Sequence, residues 1–325
     1  MKLATIKDGS RDGRLVVVSR DLKRATYANG IAPTMQAALD NWDNCEEELQ
    51  GLANGLEDNK ADDFLFFPSA CMAPLPRSHQ FVDASAFMNH GNIMEQAYNL
   101  SVEKTPGIPI LIQRQSDDFR GPCDDYLMLN EQEDIDFEGE FAVITGDIAM
   151  ASTADEAQQK IRLITMINDV SCRAHLNREL RLGFGFINAK PATVFAPVAV
   201  TPDELGDDWR DGRIHLNMDI HRSGKWFGSP NGREMDWSFG ELLAHLALNR
   251  SLGAGTILGS GTVSNHQAEK TGSACLAERR ALDVIRFGEP RTEHLRSGER
   301  LRFNVFDSEG QSVFGAIDYR TKTIT

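Results

Sequence analysis

Apolar residues recur along this chain in short runs, and the spacing within each run separates strands from helices. Leu15 to Ser19 and Ala25 to Ala28 are brief β-favouring stretches on either side of the charged turn Arg20 to Arg24, which predicts two short strands. After Thr34, residues Ala38, Leu39, Trp42, Cys45, Leu49 and Leu52 fall at mostly three- and four-residue steps, the period of one helix face, and the pattern ends near Gly55. Glu57 to Asp63 is polar, and Pro68, Pro74 and Pro76 mark a boundary. Residues 1–75 therefore read as a small N-terminal β/α domain and 76–325 as the main domain.

Beyond that boundary, Asp83 to Asn99 reads as a helix capped by Asp83, with His90 about two turns along roughly the same face. Gly107 to Asp125 is rich in Pro, Gly and polar residues and reads as a long loop. In the run Ile135 to Ile144, the period of a strand places Glu138 and Glu140 on one face and Phe141 and Val143 on the other. Thr153-Ala154-Asp155-Glu156 is a capping box opening a short helix through Lys160, and the apolar run Leu163 to Ile167 ends at Asn168-Asp169. Ile214, Leu216, Met218 and Ile220 alternate toward a turn at Ser223-Gly224, which predicts a hairpin. Phe239 to Leu252 reads as an amphipathic helix, and Leu301, Phe303 and Val305 are answered across Ser308-Glu309-Gly310 by Val313 to Ile317. Many short strands, few helices and no βαβ rhythm predict a β-rich α+β fold without internal repeats.

Composition narrows the function classes. At 325 residues, with 41% hydrophobic and 25% charged, the chain has the make-up of a soluble globular protein with a sizeable core. Its 34 basic and 48 acidic residues give a net charge of −14, which argues against nucleic acid or an anionic membrane as partner. The N-terminus lacks an apolar segment of signal type and no run has the length of a membrane span, so a cytoplasmic address is the expectation. The five cysteines are scattered without a C-x-x-C spacing and read as reduced thiols.

The pair Glu138 and Glu140 is the strongest candidate for chemistry. The commonest state of such a pair is the wet face of an edge strand, because charged residues are mostly exposed. Held together in a buried place, two carboxylates need a cation, a shared proton or strong hydrogen bonds. Asp169, at a strand end, is the best further ligand, competing with a role as a turn-forming Asp after Asn168, while Asp83 competes with its own role as a cap. An all-carboxylate set suits a hard cation, Mg²⁺ or Ca²⁺ with Mn²⁺ as a further candidate, and does not suit zinc. Gly259-Ser260-Gly261 is not a nucleophile elbow, and Gly183-x-Gly185 lacks the third glycine of a dinucleotide fingerprint.

Six motifs in order resemble the fumarylacetoacetate hydrolase family, in its bacterial branch with a short N-terminal domain. They are DASAFMNH at 83–90, DFEGEFAV at 136–143, NDVSCR at 168–173, KPATVFAPVAVTPDELG at 190–206, GSGTVSN at 259–265 and GSACLAERR at 272–280. The resemblance implies a β-roll or barrel-like catalytic domain and a divalent metal held by Asp83, Glu138, Glu140 and Asp169, with Lys190 beside the metal and the substrate. It implies that His90, paired with a glutamate for which Glu278 is the choice by position, activates the attacking water. Gly261 and Thr262 would contact the substrate carboxylate, and Arg173 would orient Asp169 or contact substrate. The implied reaction is hydrolysis of a carbon–carbon bond in a small anionic 2,4-diketo acid, fumarylacetoacetate in the first place, as in the last step of tyrosine breakdown, by a homodimer. Acylpyruvate hydrolysis and oxaloacetate decarboxylation are the alternatives within the family. A small-acid binding protein without the water-activating pair is the rival outside it. Leu176, Ser85 and Asn99 stand where the animal enzyme has a glutamine, a tyrosine and an arginine, so the contacts to the substrate's distal end differ.

Overall fold

The computed structural model describes residues 1–99 and 105–324. Its frame is an eleven-stranded sheet that runs Phe64–Leu65, Arg24–Tyr27, Arg14–Val18, Lys2–Ile6, Val198–Val200, Ile161–Asn168, Gly139–Thr145, Ile257–Gly259, Phe81–Ala84, Leu111–Arg114. Val194–Phe195 pairs beside this path with Ile161–Asn168. Neighbours are antiparallel except Ile257–Gly259 and Phe81–Ala84, which run parallel. The small N-terminal unit is joined to the rest by main-chain hydrogen bonds, since Lys2–Ile6 pairs with Val198–Val200 in the register Lys2↔Val200 and Ala4↔Val198.

The strand Gly139–Thr145 lies deep in this sheet, and all seven of its residues are buried. Phe141 and Val143 face one core, with Met166, Ile220 and Phe303, whereas Ala142 and Ile144 face a second, with Leu3, Val17 and Trp42. This is the alternation expected of the strand, and it leaves Glu138 and Glu140 on the Ala142 side. A five-stranded sheet, Lys225–Gly228, Met218–Arg222, Arg300–Val305, Ile317–Thr323, Tyr126–Met128, covers the Phe141 side. The architecture is the expected sheet-rich α+β type with a small N-terminal domain.

The hairpin at Ser223-Gly224 forms between Met218–Arg222 and Lys225–Gly228, and the capping box opens the helix Ala154–Gln158 as predicted. Five expectations change. Asp83 does not cap a helix: it lies in the strand Phe81–Ala84, and the helix begins only at Met88. Phe81, Val82 and Asp83 have a strand on each side, and two rows of ladder hydrogen bonds outweigh a single cap. The presumed loop 107–125 contains the strand Leu111–Arg114, which pairs with the Asp83 strand. The helical pattern after Thr34 breaks at Asn41, which lies outside helical geometry, into Met35–Asp40 and Trp42–Glu57. The helix after Ser238 stops at Leu246, and the C-terminal hairpin pairs Arg300–Val305 with Ile317–Thr323, Val313 adding one bond to Val305.

Gly139, between the two glutamates, marks where the sheets meet. A Cβ there would lie 2.7 Å from Met218 Sδ, 3.1 Å from Ile220 Cδ1 and 3.3 Å from Phe303 Cε1, all in fully buried side chains. Gly139→Ala should therefore lower stability by about 1–3 kcal/mol through overpacking. A denaturant titration reads it, and an unchanged midpoint would show that the sheets are not in tight contact here.

Candidate active site

Three strands bring three carboxylates to one place. Asp83 comes from Phe81–Ala84, Glu140 from Gly139–Thr145, and Asp169 from the residue just beyond Ile161–Asn168. One oxygen from each lies within 4.8 Å of the others, and all three side chains are buried. Between the Asp83 and Glu140 strands runs Ile257–Gly259. A Cβ on Gly259 would fall 2.7 Å from Asp83 Oδ1 and 2.9 Å from Glu140 Oε2, so only a glycine leaves room for the carboxylates. The Gly261 N–H donates to the same two oxygens, at 3.1 Å each. Gly261 has a φ of +79°, and a Cβ there would meet Ala84 O at 2.3 Å.

Cations surround the cluster. Lys190 Nζ donates to Asp169 Oδ2 at 2.7 Å and to Glu138 Oε2 at 3.0 Å. Arg114 grips Asp169 from the far side, its Nε donating to Oδ1 at 3.0 Å and Oδ2 at 3.1 Å, and the Thr193 hydroxyl adds a bond of 2.8 Å to Oδ1. Glu138 stands one lysine away from the three converging carboxylates. Its Oε1 accepts from Arg173 and from the Ser171 hydroxyl, and its Oε2 accepts from the Thr262 hydroxyl at 3.0 Å. Arg173 is thus turned onto Glu138 and Asp136 and not onto Asp169.

These partners split the carboxylates into two kinds. Burial alone would raise Glu138, but the charges of Lys190 and Arg173 outweigh it and hold its carboxyl well below the usual range. Asp169 is likewise lowered, because Arg114 and Lys190 overcome its burial. Burial and the nearby charge of Asp169 push Asp83 up to about 7, and burial with the charges of Asp83 and Asp169 pushes Glu140 well above its ordinary value. Lys190 is raised, its two carboxylates outweighing the cost of burial, so it stays charged. Within this network, five carboxylates (Asp83, Asp136, Glu138, Glu140, Asp169) face three cations (Arg114, Arg173, Lys190). With all five ionised the network would be two positive charges short, which is what one divalent cation supplies. Buried Glu140 Oε1, which has no hydrogen-bond partner, fits a missing cation too. The residues present fit a hard divalent ion.

On the helix Met88–Tyr98, His90 meets Glu278 from the helix Leu276–Phe287, its Nδ1 lying 3.0 Å from Glu278 Oε2. A carboxylate accepts a hydrogen bond from Nδ1–H, which leaves Nε2 with its lone pair. Ser85 is exposed at the end of the Asp83 strand, where its N–H donates to Ile110 O. Asn99 closes the His90 helix in a left-handed conformation. Three participants had escaped the sequence reading: Arg114, Thr193 and Asp136. Asp136 precedes Glu138 by two residues and shares its strand period, a signal that was there to be used. Arg114 had no signal, because its strand was hidden in a Gly- and Pro-rich segment.

Residues 80–314 match the family model for the C-terminal domain of fumarylacetoacetate hydrolase, and residues 1–77 match that for fumarylacetoacetase N-terminal domain 2. The chain belongs to the fumarylacetoacetate hydrolase family. It is 28% identical over 213 residues to a 2,4-didehydro-3-deoxy-L-rhamnonate hydrolase of Sphingomonas sp. (strain SKA58), covering 65% of this chain and 70% of that one. To a mitochondrial oxaloacetate tautomerase of Rattus norvegicus it is 26% identical over 162 residues, covering 49% of each chain. Among solved structures, a maleylpyruvate hydrolase from Sphingobium sp. SYK-6, in complex with manganese(II) and pyruvate, superposes with a TM-score of 0.68 at 14% identity over 100% of both chains, a likeness of fold. The family therefore includes both hydrolases and tautomerases.

Asp83, pushed up to about 7, and Glu140, pushed well above its ordinary value, hold protons in the metal-free protein that a cation must displace. Mn²⁺ affinity should therefore rise with pH through 7, by up to about tenfold per pH unit for each proton displaced. Calorimetry in buffers of different ionisation enthalpy reads both the affinity and the protons released. A flat profile with no proton release would exclude these carboxylates as the binding groups.

Proposed function

We propose that the protein is a metal-dependent hydrolase that cleaves a carbon–carbon bond of a small β-diketo acid, with fumarylacetoacetate, split to fumarate and acetoacetate, as substrate. The observation that carries this reading is the His90–Glu278 pair, at 3.0 Å, with His90 near enough to Glu138 to act on its charge. A binding protein has no use for an imidazole polarised in this way. The ion, Mg²⁺ or Ca²⁺ with Mn²⁺ as a third candidate, would be held by Asp83, Glu140 and Asp169, with Glu138 as the fourth carboxylate of the clamp. When bound it supplies a Lewis acid to neighbouring substrate oxygens and charge to offset an enolate.

The chain's own residues handle the protons. Glu278 accepts a hydrogen bond from the Nδ1–H of His90, so Nε2 takes a proton from water as the resulting hydroxide adds to the distal carbonyl. The carbon–carbon bond then breaks, its electron pair passes into the leaving fragment as an enolate, and the proton on His90 returns to carbon. Lys190, kept charged by Glu138 and Asp169, stabilises the developing negative charge. Thr262 and Gly261 are the proposed contacts to the substrate's carboxylate, and exposed Ser85 is a proposed contact to its distal end.

Tautomerisation of a β-keto acid is the second reading, favoured by the similarity to the rat tautomerase. It passes through the same kind of enolate without breaking a carbon–carbon bond. Product analysis across fumarylacetoacetate, shorter acylpyruvates and oxaloacetate separates the two: cleavage yields two acids, whereas tautomerisation changes only the enol absorbance. His90→Ala and Glu278→Gln should lower kcat by about 10²–10⁴-fold and leave Mn²⁺ affinity intact. Near-normal turnover in His90→Ala would overturn the base assignment.

A further inference from the structure

The helix that carries Glu278 begins without a good cap. Its N-cap is Cys275, whose thiol accepts from the Glu278 N–H at 3.3 Å, and sulfur is a weak acceptor. The N–H groups of its first turn are satisfied by a residue about 140 positions earlier in the chain. Asp136 Oδ1 accepts from Leu276 N at 2.7 Å, and Oδ2 accepts from Ala277 N at 2.9 Å. The same Oδ2 accepts twice from Arg173, from Nε at 2.9 Å and Nη2 at 2.7 Å, and Arg173 also holds Glu138. Asp136 is wholly buried. Its backbone neighbourhood is tied to the same helix start, because Gly139 N donates to Ala274 O at 2.9 Å and Glu138 bridges to Cys275.

We propose that Asp136 is a positioning residue that fixes the distance between the His90–Glu278 pair and the carboxylate clamp. One unbroken chain of contacts runs from Asp169 through Lys190, Glu138, Arg173 and Asp136 to the first turn of the helix, and so to Glu278 and His90. Among the members of this series, Asp136 is the one whose side chain bonds both the clamp's arginine and the first-turn N–H groups of the helix. An amide at this position could accept only through its oxygen, and its NH₂ group would face the Arg173 guanidinium. The helix start would then be held only by the backbone contacts at Ala274 and Cys275 and by the one remaining oxygen, so that its first turn can shift and carry Glu278 with it while the clamp stays in place. The effect on turnover rests on the proposed hydrolase reading, but the effect on the His90–Glu278 hydrogen bond does not.

The test is Asp136→Asn, read in three ways. Mn²⁺ affinity by calorimetry should stay within about threefold of wild type, kcat should fall about 10- to 100-fold, and KM should move less than about threefold. Proton NMR of the metal-free protein should show the His90 Nδ1–H resonance, assigned by its loss in Glu278→Gln, displaced or broadened in Asp136→Asn. If Asp136→Asn does not fold, Arg173→Lys cuts the same tie from the other side, leaves both helix N–H bonds in place, and gives the same NMR readout, since a single ammonium cannot span Asp136 and Glu138 as the guanidinium does. A variant that melts earlier but keeps the wild-type resonance would overturn the proposal, as would a loss of kcat matched by an equal loss of metal affinity. If the wild type turns over no dioxo acid, the functional reading fails, and the NMR result still decides the role of Asp136.

Discussion

Like charges buried side by side are the constraint on which this molecule depends. Removing a carboxylate from water is costly unless hydrogen bonds or opposite charge replace the lost hydration. Here that replacement comes from several directions. Arg114 and Lys190 hold Asp169, Lys190 and Arg173 hold Glu138, and the first turn of a helix together with Arg173 holds Asp136. Asp83 and Glu140 receive one shared N–H from Gly261, and their protonation makes up the rest. The two carboxylates left with the poorest compensation are also those facing Gly259, where the chain leaves room. Stripping a cation from such a network typically costs about 3–5 kcal/mol, because the remaining charge stays buried without a partner.

The sheet makes this arrangement rigid. Glu140 lies on an interior strand with both faces covered, and its neighbours on either side end at Asp169 and Gly259. Ladder hydrogen bonds therefore set the separation of the carboxylates, and flexible loops do not. The N-terminal strands extend the same sheet, and their Leu3 and Val17 join Trp42 of the helix Trp42–Glu57 in one buried cluster with Ala142 and Ile144. On the opposite face the second sheet presses so closely on Gly139 that no side chain fits. The glycine between the two glutamates is thus a packing requirement.

Much of this was legible in the sequence, and the failures share a cause. Period-two spacing placed Glu138 and Glu140 on one face, and the capping box at Thr153 and the turn at Ser223-Gly224 formed as read, because each is a local pattern whose physics is complete within a few residues. Asp83 was misplaced because a short strand and a helix start look alike until the neighbouring strands are known, and those neighbours are the distant Ile257–Gly259 and the unrecognised Leu111–Arg114. Arg114 stayed hidden for the same reason. The pairing of His90 with Glu278 joins residues 188 positions apart, and only the order of family motifs pointed to it.

The charge network also limits how the proposed chemistry can move protons. Lys190 lies between two carboxylates that keep it charged, so it stabilises negative charge well and gives up its proton poorly. Arg114 and Arg173 are arginines and do not titrate in this range. Among the described residues around the clamp, His90 is the group with a ring nitrogen free to accept and then return a proton, its other nitrogen being fixed on Glu278. In the proposed reaction one imidazole would then serve as base toward water and as acid toward the enolate carbon within a single turnover. That dual duty demands that His90 sit at a fixed distance from where the substrate is held, and the buried tie from Asp136 to both the clamp and the Glu278 helix is the feature of the fold that fixes it.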